Sequence, residues 1–194
     1  MLVVSPQLVD PEISRRKLER QVKEFQNNAA RYRERGYWIA FQEGLNVYVA
    51  AAARIPMSIG PIPFPVVTAC VRFNFDNFDL WAPSLTIVDF FTLQPSFPLV
   101  GAMEFAEGEP LNLLIGQHPQ TQLPFLCLPG VREYHTHPQH TGDLWLLRRS
   151  ITSLSSLAEQ VWMLMARNVV GIRLELARNT AGVNLSLQLV QAKM

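Results

Sequence analysis

The chain has little cysteine, almost no net charge and no long uninterrupted apolar run. Its 194 residues include only two cysteines, Cys70 and Cys127, which excludes a disulfide framework and favours a reducing, cytoplasmic location. The 17 cationic and 16 anionic side chains give a formal net charge of +1, so neither nucleic acid nor an anionic membrane is an expected partner. Hydrophobic residues make up 48% and charged residues 17%, which predicts a folded globular chain.

Targeting and membrane-spanning signals are also missing. The N-terminus has a short apolar patch before its first charges, whereas a secretory signal has its charges first and then a longer apolar run. Four prolines interrupt the apolar region at 55–69, so no membrane-spanning helix is expected there. We predict a single domain over residues 1–194 with a flexible N-terminal segment at 1–9.

A basic helix is predicted over residues 11–35. Asp10 is a suitable N-cap, Pro11 fits the first helical turn, and Gly36 is a typical stop signal. The segment carries eight of the 17 cationic side chains and four acidic ones. Such a face is either a solvated surface or a docking face for an acidic partner, and both interpretations are open.

The rest of the chain alternates between strand-like, loop-like and helical patterns. Four strand-like segments follow the helix, at 37–41, 47–52, 66–75 and 85–91. A segment rich in proline, glycine and glutamine, 92–124, is predicted to be a loop with one or two short elements. A second helix is predicted to start at Ser150 or Thr152 and to end at Asn168, before a hairpin over 171–190. This order indicates an α+β fold with an antiparallel sheet.

The polar residues with chemical potential are concentrated in one region. The four histidines lie within 23 residues of sequence: His118, His135, His137 and His140. Cys127 and Glu133 lie in the same window. Thiolate, imidazole and carboxylate groups are all zinc ligands, and four of them complete a tetrahedral site. On an extended strand His135 and His137 would point to one face, and His140 would return to it after a turn at Pro138.

Two other interpretations of this cluster are open. Cys127 is a candidate nucleophile if nearby imidazolium groups or Arg132 lower the pKa of its thiol. Alternatively, the polar residues are solvent-facing loop residues, and Cys127 is a small core side chain between Leu126 and Leu128. Cys70, which lies in an apolar strand, is interpreted as a core residue.

The cluster resembles the active-site signature of ubiquitin-conjugating enzymes. The sequences His118-Pro119-Gln120 and Leu126-Cys127-Leu128 resemble that family's His-Pro-Asn tripeptide and its apolar-Cys-Leu thioester site. Upstream, 73–84 is similar to the family's strand and proline-rich turn, and the basic helix lies where the family docks its activating enzyme. The resemblance covers about residues 11–165.

Three departures accompany this resemblance. Gln120 stands where the family has the asparagine that assists the thioester attack. Residues 92–117 form an insertion relative to the family, and 169–194 is predicted as strands where the family has helices.

A second resemblance uses the same cysteine. The run Cys-x5-Glu-x-His-x-His-Pro-x-His, from Cys127 to His140, resembles a bacterial group described as a predicted metal-binding domain with a Cys-Glu-His-His pattern. Such proteins are encoded with ubiquitin-like proteins, activating enzymes and isopeptidases, in operons of the antiviral-defence type. Partners of these three classes are therefore implied by the resemblance, with the activating enzyme docking on the basic helix 11–35.

Together the resemblances imply an α+β fold of the ubiquitin-conjugating type and an enzyme that carries a ubiquitin-like protein as a thioester on Cys127. Glu133, His135, His137 and His140 would lower the pKa of the cysteine or deprotonate the incoming amine, and no cofactor is required. One alternative is a non-catalytic accessory protein in which Cys127, Glu133 and the three histidines bind zinc. Another is an inactive conjugating-enzyme-like module that only docks a partner.

Overall fold

A computed structural model describes residues 6–55, 64–97, 103–105, 115–140, 142–172, 175–176 and 187–188. The helices are α1 (Pro11–Gln26), α2 (Ala29–Arg35), α3 (Arg132–Thr136), α4 (Trp145–Arg148) and α5 (Leu154–Trp162). The strands are β1 (Tyr37–Glu43), β2 (Asn46–Ile55), β3 (Phe64–Asn74), β4 (Ser84–Val88), β5 (Met103–Phe105), β6 (Ile115–Gln117), β7 (Pro124–Leu126), β8 (Val169–Ile172), β9 (Glu175–Leu176) and β10 (Leu187–Gln188). None of the helices in these ranges is long and apolar enough to cross a membrane.

An antiparallel meander of β1, β2, β3 and β4 forms the main sheet, which confirms the predicted α+β class and the antiparallel pairing. The apolar stripe of α1, namely Leu18, Val22 and Phe25, is buried against this sheet and α5. Leu157 and Val161 of α5 complete the same core. Burial of these side chains, at about 25 cal/mol per Å² of apolar surface, is the main force that fixes both helices on the sheet.

The smaller strands form two-stranded antiparallel pairs. Strand β6 pairs with β7, β5 pairs with β8, and β9 pairs with β10. The last pair lies within the hairpin predicted over 171–190, whose tip at 177–186 is outside the described residues. Most of the predicted insertion at 92–117 also lies outside them.

The predicted basic helix is two helices, and its prediction as one continuous element is wrong. Asp10 caps α1 as predicted, because its carboxylate accepts from the Glu12 N–H at 2.8 Å. The helix stops at Asn27 and Asn28, since asparagine side chains compete with the backbone for hydrogen bonds and favour helix ends. Gly36 ends α2 with a φ of 110°, and a Cβ there would lie 2.6 Å from the Ala52 carbonyl oxygen.

The predicted cap of the second long helix is also wrong. Ser153 caps α5 in a reciprocal pair with Ser156, whereas Thr152 donates its hydroxyl to the Arg148 carbonyl and closes the preceding turn. Past Trp162 the helix continues as a π-helical turn at Met163–Arg167.

One loop ties the helices to the region of the histidines. Residue Asn77, which is 1% exposed, binds the backbone of 6–9, so this part of the predicted flexible segment is held in place. Asp79 pairs with Lys17 of α1, and its carbonyl oxygen accepts from the Trp145 indole N–H at 2.9 Å. The loop thereby joins α1 to α4.

Candidate active site

Cys127 lies at a sharp bend immediately after β7. The Leu128 N–H donates to the Leu126 carbonyl oxygen at 2.9 Å, which closes a three-residue turn around the cysteine. Both leucines are buried, with 0% and 2% exposure, whereas Cys127 is half-buried. The two leucines therefore anchor the bend in the core and leave the thiol at its surface. The interpretation of Cys127 as a core side chain does not fit this placement.

Helix α3 is held to the main sheet by its first two residues. The Glu133 carboxylate accepts from the Leu85 N–H at 2.7 Å and from the Ser84 hydroxyl. The Arg132 guanidinium donates to the Asp76 carbonyl oxygen at 2.7 Å and lies over the Trp81 ring at 5.0 Å. These contacts fix α3 against the start of β4.

Neither of these charged residues serves the cysteine as predicted. Both Glu133 carboxylate oxygens are bound by β4, so this carboxylate joins α3 to the sheet. Burial raises the pKa of Glu133, which favours a protonated carboxyl at a site where water cannot solvate the charge. Arg132 is directed to the loop before β4, and it is not among the causes that shift the pKa of Cys127.

The thiol of Cys127 has a single imidazole beside it. Its Sγ lies 3.1 Å from Nε2 of His140, which ends a 3-10 helical turn at Pro138–His140. Burial raises the pKa of this thiol, so at neutral pH it is protonated and donates to the ring nitrogen. The predicted lowering of the pKa by imidazolium groups is therefore wrong in direction, because desolvation dominates.

His135 and His137 are not on a strand, and the prediction that they share one face of a strand is wrong. His135 lies in the last turn of α3, which Thr136 stabilises by donating its hydroxyl to the Arg132 carbonyl oxygen at 2.9 Å. Nδ1 of His135 lies 2.7 Å from the Asp143 carbonyl oxygen. His137 instead faces His118, with ring centroids 5.9 Å apart.

His118 is a fully buried support for this region. Its Nδ1 accepts from the Gln120 and Thr121 N–H groups at 3.3 Å each, so its Nε2 carries the proton and donates to the Glu133 carbonyl oxygen at 3.1 Å. Burial lowers the pKa of His118 and keeps the ring neutral. The residue thus connects the turn after β6 to α3.

The structure brings Cys127 and His140 together and distributes the other predicted ligands around them. Across the described ranges, no group of three or more histidine, cysteine, aspartate and glutamate side chains is arranged to hold a metal ion. A thiol in contact with an imidazole is the arrangement of a nucleophile and its general base.

Sequence reasoning missed three residues beside this pair: Tyr134, Asp143 and Arg148. The Tyr134 ring stacks on His140 with centroids 4.0 Å apart, and burial followed by the nearby Asp143 carboxylate raises the pKa of its hydroxyl. Arg148 binds the same carboxylate. None belongs to a recognisable motif, and the contacts depend on the 3-10 turn that brings His140 back over α3.

Comparison with known proteins places the chain in a family. The profile of the Y4jH-like family, described as the Y4jH family, matches residues 9–106 and 100–169. The chain belongs to the Y4jH family. It is 32% identical over 165 residues to the uncharacterized protein y4jH of Sinorhizobium fredii (strain NBRC 101917 / NGR234), an alignment that covers 74% of this chain and 76% of that protein. The matched segments include both Cys127 and His140.

The buried carboxyl of Glu133 predicts a specific dependence of stability on pH. Because its folded pKa lies above the unfolded value of about 4.3, its contribution to the free energy of unfolding is complete below that value and is lost as the pH rises through the folded pKa. The free energy of unfolding of wild type minus that of Glu133→Gln should therefore fall as the pH rises above about 4. Urea unfolding of both proteins at each pH measures this difference.

The exposed Glu12 is the matched control. Hydrogen bonds from Arg15 and then Arg16 lower the pKa of Glu12, so its contribution is lost as the pH falls, and the difference for Glu12→Gln should have the opposite slope. A difference for Glu133→Gln that grows with pH would show that the carboxyl is charged in the folded protein.

Proposed function

We propose that this protein conjugates a ubiquitin-like protein, which it carries as a thioester on Cys127. The observation that carries the proposal is the 3.1 Å contact between Cys127 Sγ and His140 Nε2 on a half-buried bend. Further support comes from the order of elements: a basic helix, an antiparallel meander, the cysteine bend and α5 follow one another as the resemblance to ubiquitin-conjugating enzymes implies.

The first chemical step acylates the cysteine. The thiol proton passes to His140 Nε2 while the sulfur attacks the carbonyl carbon of an activated C-terminus, which arrives as a thioester on an activating enzyme. The bond from that carbon to Cys127 forms and the bond to the activating enzyme's sulfur breaks. The departing thiolate takes the proton from His140, so the imidazole ends the step neutral.

The second step transfers the acyl group to a target amine. A neutral amine attacks the carbonyl carbon of the Cys127 thioester, and its proton passes to His140 Nε2. The C–S bond breaks, an amide is formed, and the Cys127 thiolate recovers the proton from His140. One imidazole therefore serves both steps, and it returns the proton to a thiol that burial keeps protonated before each new loading.

A small acyl donor tests this reaction without the natural partners. The donor is a Gly-Gly-terminated peptide thioester with 2-mercaptoethanesulfonate as its leaving thiol. Wild type should gain the acyl mass in intact-protein mass spectrometry and lose it to hydroxylamine, and Cys127→Ser should gain no labile adduct. His140→Gln should react about 100-fold more slowly near neutral pH, since it has no base to accept the proton.

Cys70→Ser is the matched control for the acyl donor. Cys70 is 2% exposed and burial raises its pKa to about 12, so this variant should react like wild type. Failure of wild type to acquire the acyl group contradicts the proposal. One equivalent of bound zinc together with an unreactive Cys127 would favour the accessory, metal-binding alternative instead.

The docking face for an activating enzyme is proposed to lie on α1. Arg15 binds Glu12 and Glu19 at 2.7 and 2.6 Å, and Arg16 binds Glu12 at 3.0 Å, so these two cations are largely satisfied within the helix. Arg20 and Lys23 are exposed and form no ion pair with any residue in the described ranges. They are the cations that an acidic partner would meet first.

Charge reversal distinguishes this face from a merely solvated one. Arg20→Glu with Lys23→Glu should slow loading by an activating enzyme and its ubiquitin-like protein about tenfold at low salt, and the defect should shrink at about 0.5 M salt because exposed charges are screened. Loading rates over a series of ionic strengths measure the effect. The matched control is Arg31→Glu with Arg33→Glu on α2, and equal rates for both double variants at low salt would contradict a docking face on α1.

A further inference from the structure

We infer that Tyr134, Asp143 and Arg148 act together as a brace that positions the His140 imidazole against the Cys127 thiol. None of the three touches the reacting sulfur in a hydrogen bond, so they are positioning residues. The inference rests on the proposed roles of Cys127 and His140. No sequence motif marks this role for Tyr134 on α3, or for Asp143 and Arg148, which follow the histidines in the chain.

The first contact of the brace is a ring stack. The Tyr134 and His140 rings lie nearly parallel, at 19°, with centroids 4.0 Å apart. One face of the imidazole is therefore covered by an aromatic ring on a helix that Glu133 fixes to β4. An imidazole on a short 3-10 turn has free rotation about its side-chain bonds unless a neighbour packs against it, and the stack supplies that neighbour.

The second contact holds the tyrosine itself. Burial and then the nearby Asp143 carboxylate raise the pKa of its hydroxyl, and the Arg148 Nε donates to both oxygens of that carboxylate at 2.9 and 3.0 Å. The Asp143 and Arg148 side chains are partly exposed, at 26% and 38%, so their direct contribution to stability is small. Their effect is geometric, since Arg148 holds the Asp143 carboxylate beside the tyrosine.

A third contact closes the segment that carries His140. Nδ1 of His135 donates to the Asp143 carbonyl oxygen at 2.7 Å, so α3 binds the backbone of Asp143. Gly142, with a φ of 104°, permits the turn that brings Asp143 back to α3. Residues on both sides of His140, namely His137 and Asp143, are thus held against α3 or its neighbours. His140 lies between them with Nε2 toward the sulfur.

Alkylation of Cys127 by iodoacetamide tests the brace independently of acyl transfer. The variants are Tyr134→Leu, which removes the stack, Tyr134→Phe, which keeps the ring but frees it from Asp143, and Asp143→Asn, which loses the ion pair. Each is made with and without His140→Gln, in a Cys70→Ser background. Rates are measured near pH 7, where the thiol needs a base, and near pH 10, where it ionises unaided.

The brace predicts a pattern that a purely structural role would not produce. Tyr134→Leu should lower the rate near pH 7 about tenfold, Tyr134→Phe and Asp143→Asn should lower it about threefold, and all rates should converge near pH 10. In the His140→Gln background the same changes should have no further effect, because the residue that they position is already absent. Glu159→Gln is the control, since it breaks a remote ion pair to Arg35 of similar exposure.

Two outcomes would overturn the inference. Either the variants match wild type near pH 7, or they lower the rate equally with and without His140. If Tyr134→Leu does not fold, Tyr134→Phe and Asp143→Asn decide the question alone. If alkylation follows the predicted pattern but Cys127 accepts no acyl group from a thioester, the brace is supported and the proposed function is contradicted. Failure of the brace and failure of the proposed function are therefore distinguishable.

Discussion

Glu133 binds the first two residues of β4 from a buried position, and the geometry of the site follows from that attachment. Its carboxylate accepts from the Ser84 hydroxyl and from the buried Leu85 N–H, which would otherwise be left without a partner at a cost of about 1–3 kcal/mol. The next residue of α3, Tyr134, is thereby set beneath the 3-10 turn, and the Glu133 carbonyl oxygen accepts from His118. Glu133 thus links the sheet to His118 and positions Tyr134 beside His140.

The packing around Cys127 also determines how far its thiol is shielded from water. The buried side chains of Leu126 and Leu128 anchor the bend at the core, and the resulting desolvation raises the pKa of the Cys127 thiol. A cysteine of this kind does not persist as a reactive thiolate, which protects it from adventitious oxidation. In the proposed reaction such a thiol requires a base in contact when it attacks, and His140 lies within reach.

Local sequence signals predicted much of the fold. The cap at Asp10, the stop at Gly36 and the strand-like segments of the meander were readable because each depends on the chemistry of a few neighbouring residues. The break at Asn27 and the cap at Ser153 were missed, since asparagine is a weak stop signal and Ser150, Thr152 and Ser153 all offer a capping hydroxyl.

The site was predictable in composition and less so in geometry. The clustering of cysteine and histidines marked the correct region, but the division of labour among Glu133, His135 and His140 depends on α3. That helix is held in place because Glu133 binds β4 and Arg132 binds the loop before it, at sequence separations of 48 and 50 residues. No local pattern records such contacts, so a strand was predicted where a helical turn exists.

The measurement that tests the account most directly is the titration of Cys127 in solution, followed by the NMR shift of its 13C-labelled Cβ. A neutral thiol paired with His140 should remain protonated through neutral pH and ionise above about 8.5, the ordinary cysteine value. The midpoint should change when His140 is replaced by glutamine, because the hydrogen-bond partner of the thiol is lost. A Cβ signal already that of a thiolate at pH 7, whether from an ion pair with imidazolium or from a bound metal, would contradict the account.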